Sequence, residues 1–179
     1  VKNAIFLSGK AEAGKTTVAN MLKKRLENTG NKVVLINFAD YLKYVAKKYF
    51  NWDGSKNTNG RSLLQKIGTD IVRNRQPKFW AETVARFIDV FSEDFDYFIT
   101  DDTRFIEEIN CLKSYCLPSI AIRVKRLNFE NHLTEKQRQH PSETSLDNYP
   151  FEYIIESESG LNNLSKEVDK FINSYFKEN

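Results

Sequence analysis

The stretch Gly9-Lys10-Ala11-Glu12-Ala13-Gly14-Lys15-Thr16 constrains this chain more than any other. It fits the spacing G-x-x-x-x-G-K-[ST] in full, follows the apolar run Ala4–Leu7 and precedes a helical period at Val18, Leu22 and Leu26. A glycine-rich turn between strand and helix lets backbone N–H groups converge on an anion, and the helix dipole adds to the attraction. In that context Lys15 reaches terminal phosphates and the Thr16 hydroxyl can ligate Mg²⁺. Gly9, Ala11, Ala13, Gly14, Lys15, Thr16 and Thr17 are therefore the expected phosphate-binding positions.

The rest of the chain repeats the strand-then-helix alternation, which argues for an α/β fold on a parallel sheet. Short apolar runs predict strands at Ala4–Leu7, Lys32–Asn37, Tyr97–Thr100, Ile120–Val124 and Tyr153–Glu156. Spacings of three and four predict helices marked by Val18/Leu22/Leu26, Leu42/Val45/Tyr49, Leu64/Ile67/Ile71, Trp80/Val84/Phe87/Phe91, Phe105/Ile109/Leu112 and Leu161/Leu164/Val168/Phe171/Tyr175. Each period places one apolar stripe toward the sheet. Two polar stretches, 51–62 and 125–149, break the alternation and read as inserts on the scaffold. A length of 179 residues fits one domain over 1–179.

Composition excludes several classes. A net charge of +3 gives no argument for nucleic acid or membrane binding. No apolar run approaches the roughly 20 residues of a membrane span, and the N-terminal apolar stretch lacks the features of a secretion signal. Cys111, Cys116, His132 and His140 have no metal-ligand spacing, so two reduced thiols and a cytoplasmic location are expected.

Carboxylates supply the next candidates. The run 95–100 ends in Asp101-Asp102-Thr103-Arg104. Ligands of open parallel sheets sit beyond the carboxyl ends of the strands, so Asp101 or Asp102 is placed to serve Mg²⁺, a helix cap being the alternative. Asp40 follows the strand near Val33–Phe38. It is placed either to orient a phosphate acceptor or to cap the next helix. The chain has no N-K-x-D guanine-reading element and is too short for a motor or helicase core.

Taken together, Phe6-Leu7-Ser8-Gly9-Lys10, Phe38-Ala39-Asp40-Tyr41-Leu42-Lys43, the stretch Gly60 to Arg73, Phe79-Trp80, Asp101 to Phe105 with Glu107 or Glu108, and His140-Pro141-Ser142-Glu143 resemble the deoxynucleoside monophosphate kinases of phages and bacteria. These belong to the wider P-loop nucleoside monophosphate kinase group, and the resemblance spans nearly the whole chain. It implies a three-layer α/β/α fold with a five-stranded parallel sheet, an acceptor-binding helical insert over 51–93 and a lid over 125–145. It also implies ATP- and Mg²⁺-dependent phosphoryl transfer to a (deoxy)nucleoside monophosphate. Kinases of other small acceptors and a non-catalytic nucleotide-binding module are the alternatives.

Phosphoryl transfer between two anions needs positioning and charge neutralisation. Guanidinium groups suit both tasks. Arg61, Arg73 and Arg104 are placed to hold the acceptor phosphate, and Arg126 and Arg138 to close from the lid, where five Lys/Arg and two acids lie between Arg123 and His140. Asp40 joins this acceptor set. Gln65, Thr69 and Asp70 share a helix and offer hydrogen bonds to a base or sugar. Trp80 either stacks on a base or packs in the core. The loop Ser157–Gly160 lies against the donor base in the family, where Gly160 admits a close approach. Relatives often carry Asp directly after the loop lysine, where this chain has Thr16 and Thr17. The expected partners are small nucleotides, with the chain a monomer or homodimer.

Overall fold

β1 (Asn3–Ser8) alternates in the way a central strand must. Ala4 and Phe6 enter one hydrophobic cluster, and Ile5 and Leu7 enter the cluster on the opposite face. The computed structural model describes residues 3–116, 118–158 and 160–176. Its other strands are β2 (Val33–Leu35), β3 (Tyr97–Thr103), β4 (Ser119–Arg126) and β5 (Tyr153–Ser157), matching the five apolar runs. They form one parallel sheet in the order β2-β3-β1-β4-β5.

Two helices cover one face. α1 (Lys15–Glu27) contributes Val18, Leu22 and Leu26, and α8 (Leu161–Tyr175) contributes Val168 and Phe171. The other face is covered by α2 (Ala39–Tyr49), α4 (Phe79–Val90) and α5 (Ile106–Lys113), through Leu42, Trp80, Val84, Ile88, Ile109 and Leu112. α3 (Thr58–Gln65) continues without a break into a π-helix over Lys66–Arg73.

The register between β1 and β3 is irregular at one place. Phe6 pairs with Thr100 but Ser8 pairs with Thr103, so Asp101 and Asp102 together stand opposite Leu7. A bulge of this kind re-aims side chains. Here it brings both acids to the same cleft, although strict strand alternation would send them to opposite faces.

Several local expectations change. β3 runs through Thr103, beyond the apolar run that marked it, because β1 continues to pair with it. β2 stops at Leu35, so Asp40 falls in the first turn of α2 rather than at a strand end. The buried stripe of α2 is Leu42 and Ala46, whereas Tyr49 is 64% exposed. Phe91 lies just past α4 and is also exposed. The 125–149 stretch begins as the last two residues of β4 and contains two short helices, α6 (Glu135–Arg138) and α7 (Pro141–Thr144). Among the described residues no helix is long and apolar enough to cross a membrane.

Candidate active site

The loop between β1 and α1 is held in shape by backbone constraints. Gly14 has φ 95°, in the left-handed region, and is the N-cap of α1. A Cβ at Gly9 would stand 2.4 Å from the Val124 carbonyl oxygen on β4, so the loop can leave the sheet here only on glycine. Lys15 is 8% exposed, and its Nζ donates to the carbonyls of Gly9 at 2.9 Å and Lys10 at 2.8 Å. Burial, and after it the neighbouring Arg104, lower its pKa to about 7 against the opposing pull of Glu143, Asp101 and Asp102.

A cleft of about 700 Å³ opens beside this loop. It brings together Lys15, Thr16 and Thr17 with Arg61, Gln65, Thr69, Arg73, Asp101, Asp102, Arg104 and Arg126. A second cavity of about 270 Å³ lies across the loop and includes Ala13, Gly160, Ser157 and again Arg126. The two cavities share Gly14 and Thr17 as their partition. Ser159, within the expected donor-base loop, lies outside the described residues.

The acids separate by their partners. Asp102 accepts from the backbone N–H of Phe38 at 3.0 Å and Ala39 at 2.9 Å, so it binds the open end of α2. Burial raises its pKa to about 6, against those two hydrogen bonds. The Asp101 carboxylate accepts no hydrogen bond among the described residues, and its backbone N–H donates to Asn37 Oδ1 at 2.9 Å. Glu108 is 2% exposed and accepts from Arg104 N, Phe105 N and Arg73 Nη2. Burial pushes its carboxyl up to about 7, with Arg73 opposing.

Arg61 projects from α3 and pairs with Glu12 of the loop at 2.7 Å. Arg73 pairs with Glu108 at 2.6 Å, donates to the Pro77 carbonyl and lies 3.7 Å over the Phe105 ring. Both of its terminal nitrogens are engaged, whereas its buried Nε has no hydrogen-bond partner among the described residues. Gln65 reaches Ser142 Oγ at 3.4 Å. Trp80 borders the cleft but is 4% exposed and donates Nε1–H to the Gly68 carbonyl at 2.9 Å, which holds its indole in the core.

Four expected site residues line neither cavity: Gly9, at the base of the loop, and Asp40, Asp70 and Arg138. Asp40 is exposed and accepts from Asn37 N and Lys43 Nζ at the start of α2. Asp70 faces His140 Nε2 at 3.4 Å. Arg138 is exposed and donates to the Asn131 carbonyl at 3.1 Å. Two residues without an assigned role in the sequence reading stand inside the site. Glu12, at φ 65°, binds Arg61 and also His132 Nδ1 at 2.8 Å. Glu143 contacts both Arg104 and the Ala11 N–H. Both contacts join residues far apart in sequence, which no local pattern encodes.

The sequence profile of deoxynucleotide monophosphate kinases matches residues 26–168. The chain belongs to this family. The phosphate loop precedes the matched stretch, so it is an independent observation. Curated members include the deoxynucleotide monophosphate kinase of Escherichia phage RB69, 27% identical over 114 residues, covering 63% of this chain and 44% of that protein. That of Enterobacteria phage T4 is 32% identical over 78 residues, covering 42% of this chain and 32% of its own length. The matched part thus spans less than half the length of these relatives.

Solved structures share the fold at low identity. A sugar kinase from Janibacter sp. HTCC2649 superposes with a TM-score of 0.57 at 14% identity, covering 99% of this chain and 95% of its own. The APS kinase of Mycobacterium tuberculosis gives 0.53 at 8% identity, covering 96% of each chain. The family member described here therefore has a P-loop kinase fold, with the phosphate loop on its central strand.

Proposed function

We propose that this chain transfers the terminal phosphoryl group of ATP to a (deoxy)nucleoside monophosphate, giving the diphosphate. One observation carries the reading: a phosphate loop that serves as the shared wall of two cavities, with arginines in the larger one. The smaller cavity, with Gly160, suits the donor base. The larger suits the acceptor, with Arg61 and Arg104 on its phosphate and Gln65 and Thr69 on its sugar or base. Residues 51–93 act as the acceptor-binding insert and 125–145 as a lid, within one domain that acts on small nucleotides in the cytoplasm as a monomer or homodimer.

Lys15 would leave the Gly9 and Lys10 carbonyls for the donor phosphates, and the free N–H groups at the start of α1 would bind their oxygens. Thr16 and Asp101 offer the hard oxygen donors that Mg²⁺ takes beside substrate phosphates, and the ion would neutralise charge there. Arg126, which borders both cavities, is placed to meet the transferring group. Transfer between phosphates requires no general base, so positioning and charge carry the rate.

The test is ADP release with ATP and Mg²⁺ across the common ribo- and deoxyribonucleoside monophosphates. Acceptor-dependent release with at least one of them is expected. Nucleotide binding without acceptor-dependent release from any member of the panel would overturn the proposal.

A further inference from the structure

Glu143 has no role in the transfer chemistry outlined above, yet it is bound more tightly into the site than most residues that do. Its side chain is only 6% exposed. Oε2 accepts from the Ala11 N–H at 3.0 Å, and Oε1 contacts Arg104 Nη1. Its backbone carbonyl accepts from Lys10 Nζ at 2.6 Å. The same Arg104 nitrogen donates to the Ser142 carbonyl at 3.1 Å. One short stretch of chain therefore grips two residues of the phosphate loop and the guanidinium expected to face the acceptor phosphate.

Arg104 and Lys15 line one cleft, and after burial the charge of Arg104 is the next cause of the lowered Lys15 pKa. Two cations held together away from water require compensation. Before substrate arrives, Glu143 is the carboxylate paired with the Arg104 guanidinium among the described residues, Glu108 accepting only from the Arg104 backbone N–H. A carboxylate in a phosphate site has two possible consequences. It competes with the incoming anion, or it holds the cation ready for it. The contacts favour the second. Glu143 meets the loop at Ala11, whereas among the described residues no side chain accepts from the backbone N–H of Gly14, Lys15, Thr16 or Thr17. The helix N-terminus is left clear for phosphate.

We infer that Glu143 is a positioning residue, the counter-ion that fixes Arg104 over the cleft and fastens the 125–145 segment to the phosphate loop. The inference rests on the acceptor-side role proposed for Arg104. Among the described residues Arg104 is stacked on no ring, and it keeps 25% of its side chain exposed, so its orientation depends on the Ser142 carbonyl and on this carboxylate.

The test is a double-mutant cycle. Glu143→Gln keeps the shape and an acceptor for Ala11 N–H but removes the charge. It is expected to lower kcat about tenfold or more while the donor Kd changes by less than about threefold. In an Arg104→Lys background the same substitution is expected to cost little further, because both act through one guanidinium. Full multiplication of the two losses would overturn the inference. So would tighter nucleotide binding by Glu143→Gln with undiminished turnover, the signature of a competing anion. An arginine side-chain NMR measurement stands apart from activity. The Arg104 Nε–Hε resonance should broaden or shift in Glu143→Gln, and an unchanged resonance would overturn the inference. Absence of turnover by the unmodified protein with every monophosphate would overturn the proposed function instead, leaving the resonance to decide on Glu143.

Discussion

Asp102 on β3 binds the first turn of α2 with both carboxylate oxygens, one to Phe38 N–H and one to Ala39 N–H. Burial holds its pKa near 6, above the unfolded value of 3.8. An acid whose folded pKa is raised keeps its proton more readily in the native state, so its contribution to stability declines as pH rises from 3.8 to about 6. The span corresponds to about 3 kcal/mol. In Asp102→Asn this slope disappears. The difference in unfolding free energy between the two proteins, read by urea titration at pH 4 and pH 7, is expected to change in that direction.

Lys15 gives a proton-linked signature of phosphate binding. Burial holds it at about 7 in the nucleotide-free protein, so at pH 8.5 it is mostly neutral. Phosphate oxygens beside it favour the charged form. Nucleotide binding at that pH is expected to take up about one proton per site. Calorimetry in two buffers of different ionisation enthalpy reads the uptake, and Lys15→Ala should abolish both the uptake and turnover while the melting temperature is retained.

Trp80 separates packing from substrate contact. Its Nε1–H meets the Gly68 carbonyl in the π-helix, and its ring packs edge-on against Phe79 at 4.8 Å between centroids. Trp80→Phe leaves a buried carbonyl without that donor and should cost about 1–3 kcal/mol of stability. The acceptor KM at a temperature well below melting is expected to stay within about threefold, since the indole borders the cleft but is 4% exposed and held by the Gly68 carbonyl.

The two outer arginines should differ. Arg126 borders both cavities and packs 4.0 Å over the Phe129 ring. Arg138 is exposed and bonded to a neighbouring carbonyl. Arg126→Ala is expected to lower kcat by about 10²-fold or more. Arg138→Ala should change it by less than about threefold, as substitutions of solvated surface charges do. Steady-state kinetics on both variants decides the order.

The sequence carried the sheet because burial on both faces forces continuous apolar runs, and all five runs became strands. It carried the phosphate loop because that function needs fixed residue types at fixed spacing. It could not distinguish Asp101 from Asp102, since the difference lies in partners more than 60 residues away: the Phe38 and Ala39 N–H groups bind the Asp102 carboxylate. The π-helix was equally hidden, because Leu64, Ile67 and Ile71 have the spacing of an ordinary helix. The pairing of Arg73 with Glu108, 35 residues away, was not legible either, because no local pattern joins them. Asp40 read as a strand-end acid because the apolar run outlasts the strand that it marks.

Glu12 joins three parts of the chain: it belongs to the phosphate loop, pairs with Arg61 from α3 and meets His132 from the segment after β4. No two of these positions are near one another in sequence, yet a change at any one leaves the other two with an altered neighbour. Positions 12, 61 and 132 should therefore be inherited as a set. Among related chains, a lineage that replaces the acid at position 12 is expected to have replaced the arginine, the histidine or both, and one that reverses the pair's charges should do so at 12 and 61 together.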